Sequence, residues 1–210
     1  MDDRKSLTRS LAVVAVASLC ILSYLFVDRP LAIRLHGIEH TSLQRVFAVI
    51  TRLGESQWTI VPGFLLFLAF RKSRKHAAMA GLFVAGAVAV SGLVVDLLKF
   101  VLGRARPSLY FERGLYGFDL LHGVHARQSF PSGHAATAFS AALALALLFP
   151  RHRWACVAAA AVVAASRVIL EQHYVSDVIA GAGLGVASTM FLYDRVFRAR
   201  LAAAPGHWFS

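Results

Sequence analysis

Six charged or titratable residues stand in or beside apolar runs that have little reason to carry them: Lys99, Arg106, His134, Arg167, His173 and Asp177. Several basic groups around one point suit an anion with several oxygens, which is what a phosphoryl group offers. Ser132-Gly133-His134 follows Pro131 and precedes an apolar run, so these residues open a helix. A helix N-terminus presents free backbone N–H groups and the positive end of the dipole, and Gly133 lets the backbone come close to an anion. His173 and Asp177 are four apart and would share a face on a helix. A carboxylate bonded to one imidazole nitrogen fixes the tautomer and raises the basicity of the other, which prepares a histidine to act as base or nucleophile. His134 is then free to serve as general acid.

The elements that must position these residues are membrane helices. The chain has 210 residues, 58% hydrophobic and only 16% charged, too little charge for a soluble domain of this length. Six apolar runs approach the length a bilayer requires: 11–27, 58–70, 77–102, 135–149, 154–170 and 175–193. The second and fourth are short. The expected fold is an all-α bundle of six transmembrane helices in one domain spanning 1–210. The net charge of +11 does not imply a nucleic-acid partner, because the basic residues sit mostly between apolar runs. Arg71, Lys72, Arg74 and Lys75 crowd one connector, Arg151 and Arg153 another, and Arg195, Arg198 and Arg200 follow the last run. With six spans these fall on one side with both termini, and the positive-inside rule makes that side cytoplasmic. The remaining connectors, 28–57, 103–134 and 171–174, then face the periplasm of a bacterial inner membrane. By this parity Lys99 and Arg167 lie near the outer ends of outward-running helices, and His134 and Asp177 near the outer beginnings of inward-running ones. Charged groups within spans are costly and usually functional. Snorkelling toward the interface explains Lys99 or Arg167 singly, but not the histidines and the acid beside them.

Three motifs make the pattern specific. Lys99 to Pro107 reads K-x6-R-P, Pro131 to His134 reads P-S-G-H, and Ser166 to Asp177 reads S-R-x5-H-x3-D. Together they resemble the three-part signature of the type-2 phosphatidic acid phosphatase superfamily, which also includes bacterial acid phosphatases and vanadium haloperoxidases. The signature covers 99–177, and the six-span layout resembles the membrane-bound lipid phosphatase branch. The resemblance implies roles. His173 takes the phosphoryl group, Asp177 orients it, and His134 protonates the leaving oxygen and later activates water. Lys99, Arg106, Arg167, Ser132 and the Gly133 amide hold the phosphoryl oxygens. It implies no metal and no other cofactor. The expected substrate is a phosphate monoester or pyrophosphate on a lipid: undecaprenyl pyrophosphate, phosphatidylglycerophosphate, phosphatidic acid or lipid A. Rival readings are a phosphotransferase using the same phosphohistidine, a vanadium haloperoxidase, and a transporter or lipid-binding scaffold. The last leaves the histidine–aspartate pair unexplained. The sequence carries no sign of oligomeric state.

Other residues have two readings each. The 31–53 segment, with Leu35, Ile38, Val46, Val49, Ile50 and Leu53 near helical spacing, is one or two interfacial amphipathic helices or a loop packed over the bundle. His122 and His125 touch a headgroup or are loop residues. Arg104, Arg113 and Arg127 bind an anionic headgroup or, by default, are solvated loop charges. Asp96 sits three before Lys99, where it can pair with it. Glu171 tunes local pH or is solvated. Phe111, Phe118, Leu120 and Leu121 line a lipid entrance or pack the loop. Gly181, Gly183 and Gly185 mark close helix packing. Cys20 and Cys156 lie in apolar runs, where a disulfide framework is not expected. Arg4, Lys5 and Arg9 before Ala15-Val16-Ala17 mimic a cleaved leader, but apolar character continues to Val27, which favours an uncleaved helix.

Overall fold

The computed structural model describes residues 2–37, 42–121 and 123–202. It is helical throughout: α1 (Asp2–Phe26), α2 (Asp28–His36), α3 (Ser42–Ile50), α4 (Gln57–Phe70), α5 (Lys75–Leu102), α6 (Pro107–Arg113), α7 (Gly133–Leu148), α8 (Arg153–Ile169), α9 (Val175–Leu192) and α10 (Arg198–Ala202). A single π turn, Tyr193–Phe197, joins the last two. Among the described residues five helical stretches are long and apolar enough to cross a membrane: Leu7–Phe26, Gln44–Phe70, Lys75–Leu102, Pro150–Ile169 and Val175–Ala202. The expected fourth span is α7, apolar but only 16 residues long. The expected second span is the C-terminal part of Gln44–Phe70, where α3 gives way to a 3-10 turn, Thr51–Gly54, before α4 begins. The chain is an integral membrane protein, with leucines, valines and isoleucines of α1 more than half exposed on what becomes a lipid face.

α5, α7 and α9 pack against one another, α4 lies on α5, α8 on α7 and α1 on α9. Small residues allow the close approach that membrane helices need. Ala135, Ala136, Ala138, Ala142 and Ala144 of α7 are all buried. A Cβ on Gly181 would run into the carbonyl oxygen of Ser132, and one on Gly185 into that of Ala136. The Ser140 hydroxyl also donates to the Gly185 carbonyl across the α7–α9 contact, at 3.1 Å. Gly183 faces Val16 of α1. The glycines of α9 therefore serve packing, as the sequence suggests.

The 31–53 segment is two helices. Residues 38–41, including Ile38, lie outside the described residues. α3 packs on α8, and Ile50 joins a cluster with Ala138, Ala142, Ala160 and Val163. Gly54, in the turn that follows, is pressed against Val163 and the His134 ring. This end of the segment therefore packs over the bundle. A cavity of about 520 Å³ lies between α4, α5 and α7 and is lined by Pro62, Leu66, Val84 and Leu148 among others, none of them a residue of the signature.

Candidate active site

The signature residues come together at one end of the bundle because four helix termini meet there: the C-terminal ends of α5 and α8 and the N-terminal ends of α7 and α9. Gly103 adopts φ +52°, closes α5 by donating its N–H to the Lys99 carbonyl, and turns the chain into 104–106. That segment is held by backbone bonds on both sides. Ala105 donates to Gly117, Arg106 to Ala126, and Ser129 to the Arg104 carbonyl. Phe130–Pro131 is a cis peptide bond. Ser132 is the N-cap of α7 and donates its backbone N–H to the Asp177 carbonyl at 2.9 Å, which ties the start of α7 to the first turn of α9.

His173 is 3% exposed and lies in the turn just before α9, not on the helix as its spacing from Asp177 suggests. Its Nδ1 faces the Ser129 carbonyl oxygen at 2.7 Å, while the nearest Asp177 oxygen is 3.6 Å away. The direct carboxylate–imidazole bond expected from sequence is therefore replaced by a bond to backbone. The reason is that Asp177 is fully occupied. Its Oδ2 accepts from Ser129 Oγ at 2.6 Å and from the Tyr174 N–H at 2.8 Å, and its Oδ1 accepts from Arg104. A carbonyl can only accept, so Nδ1 carries the proton and Nε2 presents the lone pair. Burial pushes the His173 pKa down to about 4 against the opposing pull of Asp177, and Arg106 and Arg167 lower it further, so the ring is neutral at pH 7.

Three cations gather at this end of the bundle, and two of them, Arg106 and Arg167, act on this histidine. Arg106 sends Nε to the His125 carbonyl at 3.1 Å and Nη1 to the Gln172 side chain at 3.2 Å. Arg167 donates to the Thr51 hydroxyl at 2.7 Å. Lys99 places Nζ beside Gly133, where a Cβ would meet it at 3.3 Å. Among the described residues no carboxylate pairs with any of the three. The Arg106 pKa is lowered by burial. The Ser132 hydroxyl is buried at the α7 N-terminus without a hydrogen-bond partner in the structure, and so is Arg167 Nε. His134 lies within electrostatic reach of Arg167, His173, Lys99 and Arg106. The cluster thus combines three cations without a paired carboxylate, an unpaired hydroxyl and a helix N-terminus, a set of groups whose chemistry suits a tetrahedral dianion.

Residues 80–201 match the PAP2 superfamily. The chain belongs to that superfamily. Like the lipid A 1-phosphatase of Rhizobium johnstonii, 35% identical over 79% of this chain and 71% of that protein, the PAP2 chain is a hydrolase of lipid phosphates. It is also 30% identical to the lipid A 4′-phosphatase of Porphyromonas gingivalis, over 86% of this chain and 79% of that one. Its fold resembles the transmembrane PAP2-type phosphatidylglycerolphosphate phosphatase of Bacillus subtilis, with a TM-score of 0.64 at 22% identity, covering 86% of this chain and 94% of that one.

Several PAP2-site neighbours depart from the expectations of sequence. Arg104 is not a solvated loop charge: it is 0% exposed, between Asp177 and Asp28. Asp28, Thr51 and Ser129 went unnoticed in the sequence. Asp28 carried a signal, an acid placed directly after the first apolar run on the side where the other polar residues gather; Thr51 and Ser129 carried none. Asp96 is exposed and forms no ion pair with Lys99. Glu171 pairs with His36 at 2.9 Å in the loop between Arg167 and His173, its φ of +53° marking a constrained backbone. Phe111 stacks on His36, and Phe118 packs on Tyr24 and Phe130, while Leu120 and Leu121 are exposed. Arg127 pairs with Asp119 and Arg113 is exposed. His125 is exposed at the rim, where Arg106 lowers its pKa. His122 lies outside the described residues.

Proposed function

We propose that this chain removes the 1-phosphate from lipid A by way of a phosphohistidine on His173, with the site facing the periplasm. The observation that carries the mechanism is the orientation of the His173 ring. With Nδ1–H engaged by the Ser129 carbonyl, Nε2 keeps its lone pair and is free to attack. In the first step Nε2 bonds to phosphorus and the phosphorus–oxygen bond to the lipid breaks. His134 gives a proton to the departing oxygen. In the second step a water attacks phosphorus, His134 takes its proton, the phosphorus–nitrogen bond breaks, and phosphate leaves with His173 neutral again. Lys99, Arg106, Arg167, Ser132 and the Gly133 N–H stabilise the charge on the equatorial oxygens throughout. All of these groups belong to the chain itself, so the reaction is expected to run without a divalent metal.

Two lines support the substrate and the side. The more similar relatives act, by name, on lipid A phosphates. The connector carrying Arg71, Lys72, Arg74 and Lys75, with Arg151, Arg153 and the basic residues after α9, lies at helix ends opposite the site, which favours a cytoplasmic position for that end and for both termini. Arg9 of α1 reaches Asp194 at 2.5 Å at this same end.

The test is phosphate release by detergent-purified protein in EDTA, from lipid A, undecaprenyl pyrophosphate, phosphatidylglycerophosphate and phosphatidic acid, with His173→Ala alongside. Release from lipid A that vanishes in the variant is expected. Release from another lipid alone would reassign the substrate, and undiminished release by His173→Ala would overturn the phosphohistidine.

A further inference from the structure

Arg104 has no task in the chemistry above, yet it is among the most completely enclosed side chains of the protein. A buried guanidinium is costly unless every charge around it is answered, so its surroundings show what it is for. Nη1 donates to Asp177 Oδ1 and to Ser176 Oγ at 2.6 Å. Nη2 donates to Asp28 Oδ2 at 2.8 Å and to the Tyr116 hydroxyl at 3.3 Å. Four rings surround the guanidinium, those of Tyr24, Tyr116, Phe118 and Tyr174, with centroids 4.5–5.5 Å from Cζ. Asp28 is itself held: Oδ1 accepts from the Ser176 N–H at 3.0 Å and from Ser23 Oγ at 3.3 Å, and Oδ2 accepts from Ser176 Oγ.

The fork therefore spans two carboxylates from distant parts of the chain, one at the α1–α2 junction and one in the first turn of α9. We propose that Arg104, held by Asp28, is a positioning residue for the reaction: it fixes Asp177 by one oxygen so that the other stays turned toward Ser129 and His173. Ser129 is the hinge of this arrangement. Its hydroxyl donates to Asp177 and its carbonyl orients the His173 ring, so movement of Asp177 is passed to the nucleophile. A planar fork can serve both carboxylates at once, whereas a lysine ammonium is a single point charge on a flexible stem. The inference rests on the phosphohistidine reading given above.

That geometry makes a specific demand on paired substitutions. Arg104→Lys leaves one charge to divide between Asp28 and Asp177, so kcat is expected to fall at least tenfold with KM within twofold of wild type. Asp28→Asn frees Arg104 from its anchor and lowers kcat by several fold. In the double variant the ammonium has only Asp177 to answer, so kcat is expected to recover above that of Arg104→Lys alone. Such non-additivity between contacting residues is what a shared network produces. The experiment measures kcat and KM for phosphate release from the hydrolysed lipid, with thermal melting of each purified variant and His173→Ala as reference. Folded Arg104→Lys with wild-type kcat, or a double variant whose losses simply multiply, would overturn the proposal. Should Arg104→Lys not fold, a double variant that also fails beside a fully active Asp28→Asn would overturn it too. Phosphate release surviving in His173→Ala would instead strike the underlying mechanism.

Discussion

Arg104 and Arg106 are two residues apart in one short segment, and their surroundings are opposites. Arg104 is sealed between Asp28 and Asp177 and ringed by aromatic side chains. Arg106 is also mostly enclosed, but its donors reach only the neutral oxygens of His125 and Gln172, and the charges that act on it without a bond are Lys99, Arg167 and Asp177. One arginine has a carboxylate on each arm of its fork, with only Nε left without a partner, and belongs to the architecture. The other has no carboxylate bonded to it, and in the mechanism proposed above the missing partner is the phosphate of the substrate. Strain of this kind, stored where the ligand will relieve it, is a common feature of functional sites.

The contrast predicts different failures. Arg104→Ala leaves two carboxylates buried without their cation, at a cost of about 3–5 kcal/mol. Thermal melting in detergent is expected to show a large drop, and a melt unchanged from wild type would mean that the buried fork contributes no stability. Arg106→Ala should do the reverse. Removing one of three crowded cations leaves the melting temperature unchanged or raised, while kcat/KM for phosphate release falls by roughly 10²–10³. Retained activity would remove Arg106 from the phosphate seat. The pH profile sharpens the same comparison. In the proposed mechanism His173 reacts as the neutral ring, and its pKa is lowered to about 4, so activity is expected above that value and is lost as pH falls through it. In Arg106→Ala the field that disfavours a protonated ring is weaker, so the acid limb of kcat/KM should move upward, and a limb that stays put would assign it to another group. The smallest effect belongs to Arg127. The pair it forms with Asp119 is partly exposed, with side chains 27% and 45% accessible, a setting in which an ion pair contributes about 0–1 kcal/mol, so Arg127→Gln should change neither melting nor kcat/KM beyond twofold.

Sequence made the cation cluster legible and left the sealed arginine hidden, for a physical reason. Lys99, His134, Arg167 and Asp177 interrupt or border apolar runs, and helix direction alone sends them to one membrane face. Arg104 lies in a connector, where a charge is ordinarily solvated. Its burial depends on Asp28, 76 residues away, and on rings contributed by α1, by the 114–118 stretch and by the residue before α9. No local spacing reports such a meeting. The same limit misled the reading of His173 and Asp177. Four residues apart suggests one helical face, but the partner of Nδ1 is a backbone carbonyl 44 residues away, which side-chain patterns cannot reveal. The bundle was readable wherever an apolar run was long and uninterrupted. It was harder to read at α4, where the helical stretch breaks at 51–56, and at α7, which Pro131 and Pro150 confine to 16 residues.

The brevity of α7 has a bearing on the lipid around it. At 1.5 Å per residue its 16 residues extend about 24 Å, short of the ~30 Å hydrocarbon thickness of an ordinary bilayer. In the mechanism proposed above the anion seat is the first turn of this helix, so hydrophobic mismatch is concentrated where the substrate must arrive. A bilayer that thins around α7 lowers the headgroup plane toward Gly133, and a thicker one holds the phosphate above it. Reconstituted into vesicles of graded acyl length, the enzyme would then respond to membrane thickness as other enzymes respond to substrate concentration, with the surrounding lipid setting how far each phosphate has to descend.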